Sequence, residues 1–399
     1  MVIASAVVVA PVGTVPRLQP AGGGAAALGQ TPASTDLVDG VTQDAAEALA
    51  ADLAAIREAN DWTNEQLAAY ETAENALDTV TGRLSADYPH AFVGSALAGA
   101  PTKPPTVYVK GRAPADIRAI ATALGVVLVE DQPYSLDELD ARLGAVHEAM
   151  LSAGFDNLVV SADIQRAGAI TLVVTLPSGA SLDPVLNGIA PDIADDITVI
   201  IEADSVVEPQ GAFGGMKLQD GGVFLCTSGW TVRKLSNGVR GVTGAGHCAG
   251  IDQINHPGHA VHGAVRQLAH VGQWGDVDWY TTAEAEADLF YADEFGNIRN
   301  VGAVEPRANI AINESICVYG RQSNKRDCSL EVENPNVFCG SPQKLVQMNG
   351  FVTQGGDSGG GWSMGVTAYG GHYGFCFNKS SFSVADLFDE ALGVAVAVN

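Results

Sequence analysis

The sequence predicts a chain in two parts, an acidic α+β region followed by an all-β domain. Three observations predict it. Helix-type and strand-type segments alternate up to about residue 205, after which short strands sit between Gly-rich turns. All six cysteines (Cys226, Cys248, Cys317, Cys328, Cys339, Cys376) lie in the second half. Charge divides at the same place: residues 1–205 hold 27 acids and 9 bases, a net −18, and residues 206–399 hold 19 and 12, a net −7. The whole chain has 399 residues, a length that suits two or three domains at roughly 100–200 residues each.

The elements follow in order. Val2 to Val12 is an apolar stretch too short to span a membrane, and Ala25-Ala26-Ala27 offers small residues for a signal peptidase; the basic start of a secretory leader is missing, since the first base is Arg17. From Thr42 to Leu84, Ala, Glu and Leu dominate, without Pro and with almost no Gly, which predicts one or two amphipathic helices. Thr106 to Lys110 alternates like a strand, and Ala113 to Leu124 reads as a helix with Pro114 in its first turn. A strand at Val126–Val129, a helix from Leu136 to Ala153 and strands at 158–160 and 170–176 complete the first part. In the second part, strands are expected at 221–225, 241–243, 277–280, 316–319 and 365–369, with one terminal helix over Val384–Leu392, as in an antiparallel barrel or sandwich.

Composition excludes some functions. The net charge of −25 argues against nucleic acid or an anionic membrane as partner, because both need a basic face. No apolar run reaches the 18 residues of a spanning helix. Six cysteines confined to one half read as three disulfides in an oxidising compartment, the alternative being six buried thiols.

The chemistry sits in three short segments. In Gly355-Gly356-Asp357-Ser358-Gly359-Gly360-Gly361, glycines beside a serine let the backbone turn tightly and aim amides at one point, as a nucleophile with an oxyanion site needs; a plain Gly-rich turn is the alternative. In Thr243-Gly244-Ala245-Gly246-His247-Cys248, small neighbours leave room for an imidazole. In Gly275-Asp276-Val277-Asp278-Trp279-Tyr280, an acid could fix the tautomer of His247, though strand periodicity puts Asp276 and Asp278 on one face and does not choose between them. An α/β-hydrolase elbow would need its acid and histidine after the serine; no Asp or Glu lies between Ser358 and His372, the only later histidine. The order His247, Asp276, Ser358 is that of the chymotrypsin type. His256, His259 and His262 offer a weaker metal candidate: Pro257 and Gly258 break any helix, and a strand would turn His259 away from the other two. No P-loop, CxxC or dinucleotide fingerprint appears, so no cofactor is expected.

On the segments Gly244–Cys248, Asp276 with Trp279, and Gly356–Gly360, the chain resembles actinobacterial secreted serine proteases of the chymotrypsin fold, the streptogrisin and α-lytic protease type. The resemblance covers roughly 210–399, with a loose likeness to the family's prosegment over 85–180. It implies two six-stranded antiparallel β-barrels with a C-terminal helix, general-base catalysis by His247 oriented by Asp276, and an oxyanion hole from the amides of Gly356 and Ser358. It also implies a substrate-lining strand with Gly370, Tyr373 and Gly374, a pocket floor near Val352, and the disulfides Cys226–Cys248 and Cys317–Cys328; Cys339–Cys376 is what then remains. Three departures stand out: Gly361 where the family has Pro, Gly244 where it has Thr, and Tyr373 where it has a serine that touches the catalytic acid.

The expectation is therefore a leader at 1–29, an acidic α+β prosegment at 30–205 and a serine protease domain at 206–399. Such a protein would be a secreted monomeric endopeptidase acting on polypeptides, its own prosegment serving as folding aid and inhibitor, with cutting between Asp204 and Gly215. No Asp or Glu lies between Gly340 and Gly356, so an apolar residue is expected before the scissile bond. The rival is a non-catalytic secreted homologue that binds protein while Tyr373 or the retained prosegment blocks the cleft.

Overall fold

Three helices of the N-terminal region begin with the same local chemistry. Asp44 with Glu47, Thr63 with Gln66 and Ser135 with Glu138 each form a reciprocal capping box, the side chain of one residue accepting the other's N–H. They start α1 (Ala45–Ala59), α2 (Asn64–Asp87) and, after α3 (Ala115–Leu124), α4 (Leu136–Ser152). These belong to a computed structural model that describes residues 42–155, 158–174, 182–186, 188–201, 215–255, 261–282 and 288–398. The expected leader, His256, His259 and all of the expected cutting stretch except Gly215 lie outside these residues. No described helix is long and apolar enough to cross a membrane.

The long segment expected to hold one or two helices holds two, α1 and α2. Pro114 is the N-cap of α3 rather than a first-turn residue. The helix pitch lines Leu139, Leu143, Val146 and Met150 of α4 along one buried face, at about 1.5–3 kcal/mol of burial each. They pack on a sheet of Leu158–Asp163, Ala169–Val174 and Ile197–Ile201. A separate sheet joins Phe92–Ala96, Thr106–Lys110 and Val127–Gln132.

The C-terminal part is mostly β. One sheet runs through eight strands, from Val394–Val396 to Val223–Thr227. A second runs through eleven, and it does not stop at the domain expected from sequence: Leu158–Asp163 pairs antiparallel with Val332–Cys339, Val160 opposite Phe338. That pairing occupies the outer edge of Val332–Cys339, so the sheet continues into the N-terminal region instead of closing there. Among the described residues neither sheet closes into a barrel. The terminal helix is shorter than expected. Val384 ends a strand, Ala385–Leu387 is a 3-10 turn, and only Phe388–Leu392 is α-helical. The six cysteines pair as Cys226–Cys248, Cys317–Cys328 and Cys339–Cys376.

Two buried acids of the N-terminal region fasten it to bases of the C-terminal part. Asp52 on α1 receives Arg299 Nη1 at 2.9 Å, Arg326 Nε and Nη2 at 2.7 and 2.6 Å, and the Gly365 N–H at 2.6 Å. Asp140 on α4 holds Arg307 through two bonds of 3.0 Å, with Lys344 at 3.1 Å.

Candidate active site

His247 stands in the turn after the strand Arg240–Gly244, where Cys248 N–H donates to Ala245 O and the disulfide to Cys226 fixes the next residue. A side chain at Gly246 would sit 2.6 Å from Asp276 Oδ1. The bare glycine therefore lets the His247 N–H reach that oxygen at 2.9 Å. The other oxygen, Oδ2, meets His247 Nδ1. Asp276 opens the strand Gly275–Thr282 and is buried. Its N–H donates to Ser383 Oγ at 2.8 Å, and the Ser383 hydroxyl donates to Asp276 O at 3.1 Å. Sequence reasoning missed Ser383, which is 107 residues from its partner.

Asp278, left open beside Asp276 by periodicity, has a different set of partners. Arg266 Nη2 lies 2.9 Å away and the Tyr280 hydroxyl 2.5 Å away. Burial pushes its carboxyl up to about 7; Tyr280 and Arg266 pull the other way and Asp276 adds to the rise. The structure thus brings His247 to Asp276 and not to Asp278.

Ser358 occupies a turn clamped from both sheets. Thr227 donates its N–H to Ser358 O (3.3 Å) and its hydroxyl to Gly356 O (3.2 Å). On the other side, Gly359 N–H donates to His372 O and His372 N–H to Gly360 O. Asp357 organises the loop from within: its carboxylate accepts N–H bonds of 2.9 Å from Gln322, Ser323 and Gln354. Burial raises the Asp357 carboxyl although these three donors oppose the rise. Gly356 has φ +119°, and a Cβ there would collide with Gln322, so the turn requires glycine. Among the described residues no acceptor lies on the backbone N–H of Gly356 or Ser358. Ser358 is 0 % exposed and its Oγ has no hydrogen-bond partner, so the structure does not join it to His247 by a hydrogen bond.

The expected substrate-lining residues are placed as follows. Tyr373, 3 % exposed, sets its ring edge-on to His247 at 6.0 Å between centroids. It lies at a bulge between His372 and Gly374, where the pairing with Lys379–Val384 shifts register. Gly370 is inside the sheet, paired on both sides, with its carbonyl accepting from Trp230 Nε1 at 2.9 Å. Val352 is half-buried against the core of the second sheet. Beside it Phe351, 59 % exposed, packs on Phe375 at 5.4 Å, an aromatic pair that sequence reasoning did not single out. His372, also unassigned from sequence, is buried beside Trp362; burial first, then the charge of His247, pushes it down to about 3. Of the three histidines weighed as metal ligands, only His262 is described. The one cluster with metal-ligand spacing among the described residues, Asp52 with Cys317 and Cys328, has both sulfurs in a disulfide.

Among the solved structures similar to part of this chain are bacterial serine proteases of the chymotrypsin fold. One is a glutamic acid specific serine protease that uses a histidine triad in substrate binding, 22 % identical, with a TM-score of 0.39, covering 47 % of this chain and 100 % of its own. Another is the Nocardiopsis protease NAPase, 18 % identical, with a TM-score of 0.37, covering 47 % and 98 %. A third is the α-lytic protease homolog N4, 16 % identical, with a TM-score of 0.36, covering 46 % and 97 %. No family model and no curated protein matches the chain.

Proposed function

We propose that the chain is the precursor of a secreted serine endopeptidase, with residues 30–205 as a removable prosegment and 206–399 as the catalytic domain, the two β layers being the halves of a chymotrypsin-type fold. The observation that carries the proposal is the contact of His247 with the buried Asp276 carboxylate, taken with a Gly-rich serine turn whose Gly356 and Ser358 amides lack acceptors among the described residues. In the reaction Ser358 Oγ attacks the peptide carbonyl carbon while His247 Nε2 takes its proton. Asp276 holds the imidazole in the required tautomer and stabilises the imidazolium. The Gly356 and Ser358 N–H groups receive the developing oxyanion. His247 then gives the proton to the leaving amine, and a water molecule repeats the sequence on the acyl-enzyme, releasing the acid and restoring Ser358. The missing Ser358–His247 hydrogen bond is compatible with this route, because such bonds are often long without substrate and tighten in the complex.

Three disulfides favour an oxidising compartment. An apolar residue before the scissile bond is expected, from the absence of acids between Gly340 and Gly356. The second reading, a non-catalytic binding protein, draws on the buried Ser358 hydroxyl and on Tyr373 packed against His247. A fluorophosphonate probe separates the two: the processed protein is labelled and hydrolyses a peptide library, and Ser358→Ala abolishes both while the fold persists. Losing the nucleophile costs about four to six orders of magnitude in kcat. A processed, folded protein that is never labelled refutes the enzyme.

A further inference from the structure

The face of α2 that packs on the C-terminal part carries Tyr70, Glu71, Glu74 and Asp78. Opposite lie Glu305, Glu314 and Tyr369. The surfaces are in direct contact: Ser315 N–H donates to the Tyr70 hydroxyl at 3.0 Å, and the Thr81 hydroxyl donates to Asn309 Oδ1 at 3.0 Å. Glu314 is buried, its carboxyl accepting from the Tyr369 hydroxyl at 2.6 Å and the Ala311 N–H at 2.8 Å. Glu305 Oε1 is buried without a partner.

The bases of neighbouring elements are engaged elsewhere. Arg57 of α1 donates to Asn64, Arg83 pairs with Asp87, Arg307 pairs with Asp140, and Arg118 of α3 lies by Glu130. His90, in the turn after α2, is exposed. Asp386 adds a further negative charge near Glu305, and Asp116 of α3 takes the Tyr88 hydroxyl at the far end of α2. This interface contrasts with the two ion clusters that join the regions, where Asp52 and Asp140 each meet two cations.

We propose that the carboxyl groups of Glu74, Asp78, Glu305 and Glu314 form a proton-operated latch, which holds α2 against the C-terminal part while protonated and loosens it as pH rises. Four carboxyls brought together across one interface, without a cation between them, repel one another once ionised and must shed water to stay in place. Burial pushes Glu74 up to about 8, with Asp78 and Glu305 adding to the rise. Burial pushes Asp78 up to about 6 and Glu305 to about 7, and it raises Glu314 as well. The sign follows from these directions. A group whose folded value is raised favours the closed interface fully below its ordinary value, near 4, and that contribution is lost as pH climbs through the folded value. The window therefore runs from about pH 4 to about pH 8. The latch does not depend on the protease reading; if the N-terminal region is a removable prosegment, the latch sets the pH at which it lets go.

The test uses the full chain carrying Ser358→Ala, so that it stays in one piece. Hydrogen exchange of the amides of 64–87, corrected for intrinsic rate, is followed from pH 5 to 8.5. Because Glu74 and Glu305 are half-buried and partly screened by water, the expected rise in the opening equilibrium is at least tenfold. Glu74→Gln and Glu305→Gln, tested separately, each flatten the rise to about threefold, whereas Glu47→Gln on the exposed side of α1 leaves it unchanged. A flat profile in the parent, or an undiminished rise in both glutamine variants, overturns the latch. Because glutamine relieves repulsion, these variants should fold at least as well as the parent at neutral pH.

Discussion

Asp52→Ala should release the N-terminal region more effectively than any change to the apolar contacts around it. The carboxylate and Arg299 are each about 1 % exposed, and Arg326 is buried beside them. Removing the acid strips one acceptor from four donors and leaves two guanidinium groups in the interior repelling each other, with only the charge of Asp293 acting on Arg299. Breaking a buried pair in this way costs about 3–5 kcal/mol, because the stranded charge is not rehydrated. At about 1.4 kcal/mol per factor of ten, the equilibrium for undocking moves by two to three and a half decades. The assay is urea unfolding of the full chain carrying Ser358→Ala, with α1 and α2 followed by hydrogen exchange so that undocking and global unfolding are separated. Burial pushes the Asp52 carboxyl up, but Arg326 and Arg299 outweigh it and hold the group below its ordinary 3.8. Its contribution is thus present above that pH and fades as pH falls below it, opposite in sign to the Glu74 cluster. A companion variant, Asp52→Leu with Arg299→Met and Arg326→Leu, should recover most of the loss, since an apolar replacement of a whole ion cluster is often neutral. A loss under about 1 kcal/mol for Asp52→Ala would refute the reasoning.

Three further substitutions probe the site itself. Asp276→Asn should lower kcat by about four orders of magnitude, and Asp278→Asn by less than tenfold, because only the first carboxylate meets His247; steady-state kinetics on the processed enzyme decides, and the reverse order would exchange the two acids. With its carboxyl pushed up to about 7, Asp278 favours the fold fully below its ordinary 3.8 and loses that contribution as pH rises through about 7. The thermal midpoint of Asp278→Asn should accordingly vary less between pH 6 and 8 than that of the parent. Gly356→Ala, placed at φ +119° against Gln322, should cost about 1–3 kcal/mol of stability and reduce kcat far more than KM, because it displaces the two amides; an unchanged kcat would remove Gly356 from the machinery.

The parts of the fold that were legible in sequence are those specified locally. Thr106–Lys110 alternates cleanly and is a strand over those same residues, and the helix expected from Leu136 does begin there, as α4. Phe92–Ala96 was not legible, since Gly94 and small neighbours give no β signal and burial on both sides supplies the reason for pairing. Val332–Cys339 was hidden by Asn334-Pro335-Asn336 in its middle, where two register shifts absorb the proline. At Val384 the helix-like composition lost to an in-register partner, Gly370. In the candidate site the glycine and histidine segments stood out because catalysis and tight turns demand unusual local sequence. Ser383, His372 and the Phe351–Phe375 pair did not, for each depends on neighbours brought in by the sheet. The ion clusters were equally silent: Asp52 and Arg299 are 247 residues apart, and nothing in either segment announces the other.

If the N-terminal region is removed as proposed, the antiparallel pairing of Leu158–Asp163 with Val332–Cys339 is lost with it. Departure would bare a row of backbone donors and acceptors along a strand that is otherwise apolar at Val337, Phe338 and Cys339, the kind of surface on which chains template one another into insoluble stacks. The strand carries its own protection. Pro335 has no N–H to offer, Glu333 places a charge on the flank, and the two bulges twist the line out of register for a straight partner. The same irregularities that made this strand unreadable in the sequence would let it stand solitary in water.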